Sequence, residues 1–124
     1  MKIQDVLLAL GKEGCLLLDY AELASIPVTD IILNFDKLVY YKIIRKDCFV
    51  LDADKLMKFF GKPYRVKKVN VTEVQKGQKY IALWENDSNG HFVVMQDDKV
   101  VYNTLEKSFC VNYGTMNKTV RILA

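Results

Sequence analysis

The spacing of the apolar residues changes near Pro63, and this change constrains the fold more than any other feature of the sequence. In the first half, apolar side chains recur at helical intervals, as at Val6 and Leu10, which is typical of helices that bury one face. After Pro63 they alternate with polar residues, as expected of strands. Helices followed by successive strands predict an α+β fold, with N-terminal helices packed on a C-terminal antiparallel sheet. At 124 residues we expect a single domain, residues 1–124.

Local start and stop signals give the bounds of the expected elements. Helical segments are expected at residues 3–10 ended by Gly11, at 15–25 ended by Pro27, after a cap at Thr29 or Asp30, and at 53–60 after a cap at Asp52. Residues 39–44 fit either helix or strand. Strands are expected at 64–71, 79–85, 91–96, 99–103 and 118–123, with turns at 86–90 and at Asp97-Asp98.

Composition and cysteine count exclude several classes of protein. Hydrophobic residues make up 51% of the chain and charged residues 27%, an ordinary globular balance. The three cysteines are odd in number and none is spaced as CxxC, which argues against a disulfide framework and a zinc site. The N-terminal apolar run is too short for a signal peptide and no run is long enough for a membrane span. These features predict a cytoplasmic protein with reduced thiols, no membrane partner, and no metal or cofactor.

The net charge of +3 comes entirely from the second half of the chain. Its basic run is Arg65, Lys67 and Lys68, which is sparser than the basic face of a typical nucleic-acid binder. Lysines on a strand are also a common guard against unwanted edge pairing. Nucleic acid is therefore not expected as a partner.

Three residues could form a nucleophilic site. Cys15 follows Gly14 and opens an apolar helix, whose N-terminal dipole would favour a thiolate and whose free N–H groups could hold an oxyanion. The single histidine, His91, opens a strand, and a hairpin at residues 97–98 would bring Asn103 opposite it. Asn103 could then accept the imidazole N–H and fix its tautomer. Each residue alone also has an ordinary structural explanation, since cysteines are often buried and histidines are often hydrogen-bonded.

The order of these motifs resembles the papain-like cysteine peptidases, above all their small bacterial branches, the bacteriocin-processing peptidases and cell-wall endopeptidases. It also resembles an uncharacterised family of small spirochaete and phage proteins. The matching segments are Gly14-Cys15, Asp47-Cys48-Phe49, His91-Phe92-Val93 and Tyr102-Asn103-Thr104-Leu105.

The resemblance implies a papain-like core and a Cys-His-Asn triad that cleaves an amide bond in a peptide or peptidoglycan stem. Cys15 would be the nucleophile, His91 the base and Asn103 its orienter, while Gln4 and Gly14 would serve the oxyanion. The chain departs from these peptidases where Leu16 follows the cysteine, since small residues are usual there.

A second interpretation is a catalytically inactive scaffold that binds another protein. The small size and the phage-like resemblance permit a host-directed inhibitor, with a host protein as its partner. Exposed aromatic residues would support this interpretation, because tyrosine and tryptophan dominate binding hot spots. The candidates are Tyr40, Tyr41, Tyr64, Trp84 and Tyr113. The sequence does not indicate the oligomeric state.

Overall fold

The helices occupy the N-terminal half of the chain, as the apolar spacing predicts. A computed structural model describes residues 1–87, 89–103 and 114–124. The helices are α1 (Ile3–Glu13), α2 (Cys15–Leu23), α3 (Val28–Leu33), α4 (Phe35–Tyr40) and α5 (Ala53–Phe59). No helix among these described residues combines the length and the apolar character that crossing a membrane requires.

The strands follow and form one antiparallel sheet, so the α+β prediction is confirmed. They are β1 (Val66–Asn70), β2 (Tyr80–Asn86), β3 (Asn89–Gln96), β4 (Lys99–Tyr102), β5 (Thr115–Met116) and β6 (Thr119–Leu123). Their order across the sheet is β1-β6-β2-β3-β4, and the short β5 pairs with β2. Among the described strands β1 is therefore an edge strand, and β3 lies between β2 and β4.

The main core lies between the helices and one face of the sheet, which we call the helix face. Leu17 and Ala21 of α2 are fully buried there and belong to the same cluster as Ile81 of β2 and Val94 of β3. Helix α2 contacts β3 more than any other strand. Its apolar stripe therefore fixes the position of Cys15, at its first residue, relative to β3.

The opposite face of the sheet has a separate, smaller core. Its buried residues are Tyr80, Ala82, Val93, Met95 and Val120, with Trp84 and Met116 packed against them. The buried members all come from the strands, and none of the helices α1 to α5 contributes to this cluster; Val71, in a 3-10 turn at residues 71–73, and Val74 pack against it after β1. Adjacent residues of β3 thus belong to different cores, as expected when successive side chains point to opposite faces.

Several predicted boundaries hold and others are corrected. The Asp52 carboxylate accepts a hydrogen bond from the Lys55 N–H at 3.0 Å, so the predicted N-cap of α5 is confirmed. Asp97 and Asp98 both have positive φ and join β3 to β4, which is the backbone that a two-residue hairpin turn requires. Helix α1, however, continues past Gly11 and ends at Glu13, because glycine costs a helix only about 1 kcal/mol.

The third helical segment was predicted wrongly in its cap and its continuity. Pro27 precedes the first helical residue, no side chain caps the helix, and Thr29 and Asp30 lie within α3. Asn34 then separates α3 from α4, and its side-chain amide donates to the Asp30 carbonyl at 2.8 Å. The expected five-residue turn after β2 is shorter, since Asn86 already pairs with Asn89.

Candidate functional site

A groove of about 790 Å³ opens beside the first turn of α2. It is bounded by the start of α2, by the segment 48–54, and by the helix-face side chains of β1, β3 and β6. Cys15 lines this groove and is half-buried, so its thiol lies at the wall of an open space. We call this space the α2 groove. A thiol at the first residue of a helix, in an accessible groove, meets two of the requirements of a nucleophile.

The predicted partners His91 and Asn103 do meet in the structure. The His91 Nε2 and the Asn103 Oδ1 are 2.6 Å apart, a short hydrogen bond between residues twelve positions apart in sequence. His91 is only 5% exposed, so this bond satisfies a buried imidazole nitrogen. Asn103 can orient the ring, as the sequence predicted.

The register of the sheet separates this pair from Cys15. His91 pairs with Trp84 across an unbroken β2–β3 ladder, so it shares a face with Val93, in the core away from the helices. Its neighbours Gly90 and Phe92 line the α2 groove, whereas His91 does not. The structure therefore brings His91 to Asn103, and it brings Cys15 to the residues on either side of His91.

The two residues proposed for the oxyanion have other positions and contacts. Gln4 is exposed on α1, one helix away from Cys15. The Gly14 N–H donates to the Leu10 carbonyl at 3.0 Å. A Cβ at Gly14 would lie 2.5 Å from that same carbonyl oxygen, so glycine is required here by the close approach of residue 14 to the Leu10 backbone in α1.

Family comparison gives the chain a place among related sequences. The model of the family described as "Protein of unknown function, DUF261" matches residues 15–123, which include the whole sheet. The chain belongs to this family. No curated protein and no solved structure matches it. The part matched by the DUF261 family includes Cys15, His91 and Asn103, while α1 lies outside it.

In this DUF261 chain, Asp19 is a buried acid that sequence analysis missed. Its side chain is fully buried, and neither carboxylate oxygen has a hydrogen-bond partner in the part of the chain that the structure describes. Burial above all, together with the neighbouring Cys15 and Glu22, raises the pKa of Asp19 to about 9. The carboxyl is therefore protonated at neutral pH. The available signal was an acidic residue inside the apolar run Leu16 to Ala21.

The remaining candidates of this DUF261 member divide by exposure. Tyr40, Tyr41 and Tyr64 are exposed, whereas Trp84 is packed in the second core. Cys48 is buried, and burial raises the pKa of its thiol to about 11, so Cys48 is a residue of the main core. Tyr113, Cys110, Thr104 and Leu105 lie outside the described residues.

Proposed function

We propose that this DUF261 chain is a protein-binding module that holds a peptide segment of a partner in the α2 groove. One observation carries the proposal. The α2 groove has the volume of a ligand site, and the histidine that catalysis at Cys15 would need lies on the other face of the sheet. The proposal keeps the interpretation of the chain as a catalytically inactive scaffold and assigns the α2 groove as its binding surface.

The rim of the α2 groove supports binding of an apolar side chain. Phe49 and Leu51 line it and remain 57% and 48% exposed, so the rim offers apolar surface that the side chain of a partner can cover. The Arg45 guanidinium lies 4.7 Å from the centre of the Phe49 ring and also forms an ion pair with Asp47. The rim is therefore held in place by its own contacts before any ligand arrives, which lowers the entropic cost of binding.

A thiol hydrolase is the second candidate function, and the bond between His91 and Asn103 favours it. A base with an orienting partner at 2.6 Å is what the papain-like interpretation requires. Gly90, directly before His91, lines the α2 groove together with Cys15, so the strand that carries His91 borders the space into which the thiol opens. Catalysis would need the His91 ring to reach the helix face of the sheet.

One selection experiment tests both candidates. A displayed library of random peptides is selected on the folded protein, and the selected peptides are titrated by fluorescence anisotropy. We expect binding that is lost in Leu51→Glu, at the rim of the groove, and kept in the matched control Leu33→Glu. Leu33 is also exposed but lies on α3 and does not line the groove. Equal binding to both variants would exclude the α2 groove.

The same peptides are then incubated with the protein and examined by mass spectrometry. A binding module returns them intact. Cleavage that disappears in both Cys15→Ala and His91→Ala would establish the hydrolase, because residues that act as one catalytic unit are each required.

A further inference from the structure

We propose that the peptide is acidic and that it binds as an added strand on the free edge of β1. Strand β1 forms one wall of the α2 groove through Val66 and Lys68. This inference rests on the proposed function and specifies how the partner is recognised. Recognition of this kind takes its affinity from main-chain hydrogen bonds and its specificity from the neighbouring side chains.

The pairing of β1 with β6 determines which backbone groups point outward. Arg65 and Ala124 exchange two backbone hydrogen bonds of 2.9 Å, and the Val71 N–H donates to the Lys118 carbonyl at 2.7 Å. In an antiparallel ladder, hydrogen-bonded positions alternate with positions whose N–H and C=O point away from the partner strand. Val66, Lys68 and Asn70 are therefore the residues of β1 that point to the free edge.

Side chains already occupy two of these three outward N–H groups. The Val66 N–H donates to the Asp54 Oδ1 at 2.8 Å, and the Asn70 N–H donates to the Glu73 Oε2 at 2.9 Å. The Lys68 N–H, midway between them, has no hydrogen-bond partner among the described residues. A carbonyl of an incoming strand can pair with this N–H, and the two occupied neighbours restrict the register of that strand.

The charge around this edge favours an acidic partner. Lys67 and Lys68 are exposed, and neither forms a salt bridge within the described part of the chain. Lys68 lines the groove, beside Arg121 on the neighbouring strand. The groove lining also holds three carboxylates, Glu13, Asp52 and Asp54, so the preference for an acidic partner rests on the edge strand and its approach, which carry Arg65, Lys67 and Lys68 and no acid. Acidic side chains that alternate along an added strand would meet this cationic edge.

The competing explanation is that Lys67 and Lys68 guard the edge against pairing with any chain. If the lysines only prevent pairing, β1 would not bind an added strand even when that strand carries acidic side chains of opposite charge. Both explanations can be separated with a defined probe.

The probe is a fluorescein-labelled peptide of alternating Glu and Val residues, with two control peptides. One control carries Lys in place of Glu, and the other is the acidic peptide N-methylated at every residue, so that neither of its edges can form a ladder. We expect binding of the acidic peptide alone and slower hydrogen exchange of the Lys68 amide in its complex, followed by NMR. Lys68→Pro, which removes the N–H at an edge position, should weaken binding roughly tenfold, while Lys68→Ala keeps the N–H and should weaken it less.

Protection of Cys15 from iodoacetamide reports occupation of the α2 groove independently of the edge. If peptides protect Cys15 while the Lys68 amide exchanges as before, the groove binds peptides in another way, and this inference fails while the proposed function stands. Equal affinity of the N-methylated peptide also overturns it, and does so without any variant of the protein. If the acidic probe does not bind, the inference that an acidic strand pairs with β1 is wrong. The library selection then tests the proposed function by itself.

Discussion

The two faces of the sheet differ in what covers them and in the kind of side chain they display. The helix face is packed by α2 and its neighbours and borders the groove that contains Cys15. The opposite face has a smaller core built from sheet residues, and it holds His91 with its Asn103 partner. The accessible thiol and the buried imidazole are therefore separated by the thickness of one sheet. A suggestive set of residues in a sequence does not form a site unless the register places its members on one face.

The largest expected effect belongs to the helix face and concerns Asp19. Burial raises the pKa of Asp19 to about 9 in the folded protein, from its ordinary value of 3.8 when exposed in the unfolded chain. Between these values the unfolded chain has lost the proton and the folded protein keeps it, so the free energy of unfolding falls as pH rises from about 4 to about 9. We expect Asp19→Asn to remove this slope and to raise the free energy of unfolding at pH 7 by about 2–4 kcal/mol.

Urea unfolding at a series of pH values measures this slope. Glu22→Gln is the matched control, because Glu22 is an exposed acid on the same helix and contributes less than burial to the raised pKa of Asp19, so its substitution should leave most of the slope in place. An unchanged slope in Asp19→Asn would mean that the buried carboxyl is ionised in the folded protein, with a partner that neutralises it.

A smaller difference is expected between two neighbouring valines of β3. Val93 and Val94 are both fully buried, with 0% of their surface exposed to solvent, but they belong to opposite cores. Val94 faces α2, and the helix cannot easily move into the cavity that Val94→Ala would leave. We therefore expect Val94→Ala to lower the free energy of unfolding by about 2–3 kcal/mol. Val93→Ala should cost roughly 1 kcal/mol less, because the sheet-only core can relax around the missing methyl groups. Chemical denaturation of both variants gives the comparison, and equal costs would show that the two cores are equally rigid.

The smallest effect tests whether His91 is structural. A double-mutant cycle with His91→Ala and Asn103→Ala should give a coupling of about 1 kcal/mol, the value of one net hydrogen bond. Cys15→Ala should show no coupling to His91→Ala, since they lie on different faces. A Cys15–His91 coupling as large as that of the first pair would contradict the separation of the two faces and would restore the catalytic interpretation.

Much of the fold follows from local patterns in the sequence. The change of apolar period at Pro63 predicts the order of helices and strands, and Asp52 and the Asp97-Asp98 turn mark their positions, because caps and turns depend on a few neighbouring residues. The partnership of His91 and Asn103 was also predictable, since a two-residue hairpin brings residues at a fixed separation onto adjacent strands. The end of α1 and the break at Asn34 were not, because packing between helices overrides a single glycine or cap signal.

The sequence by itself determined the α+β class, the helix start at Cys15 and the His91–Asn103 pair. The tertiary structure alone decided which side of the sheet receives α2, and therefore that Cys15 opens into a groove with Arg121 and Lys68 while His91 faces the other core. It also decided that Asp19 is buried and that the Lys68 N–H, on the edge strand β1, has no hydrogen-bond partner among the residues that the structure describes. Local propensity acts over a few residues, whereas the face of a sheet, the burial of a charge and the edge of a strand depend on contacts between segments distant in sequence.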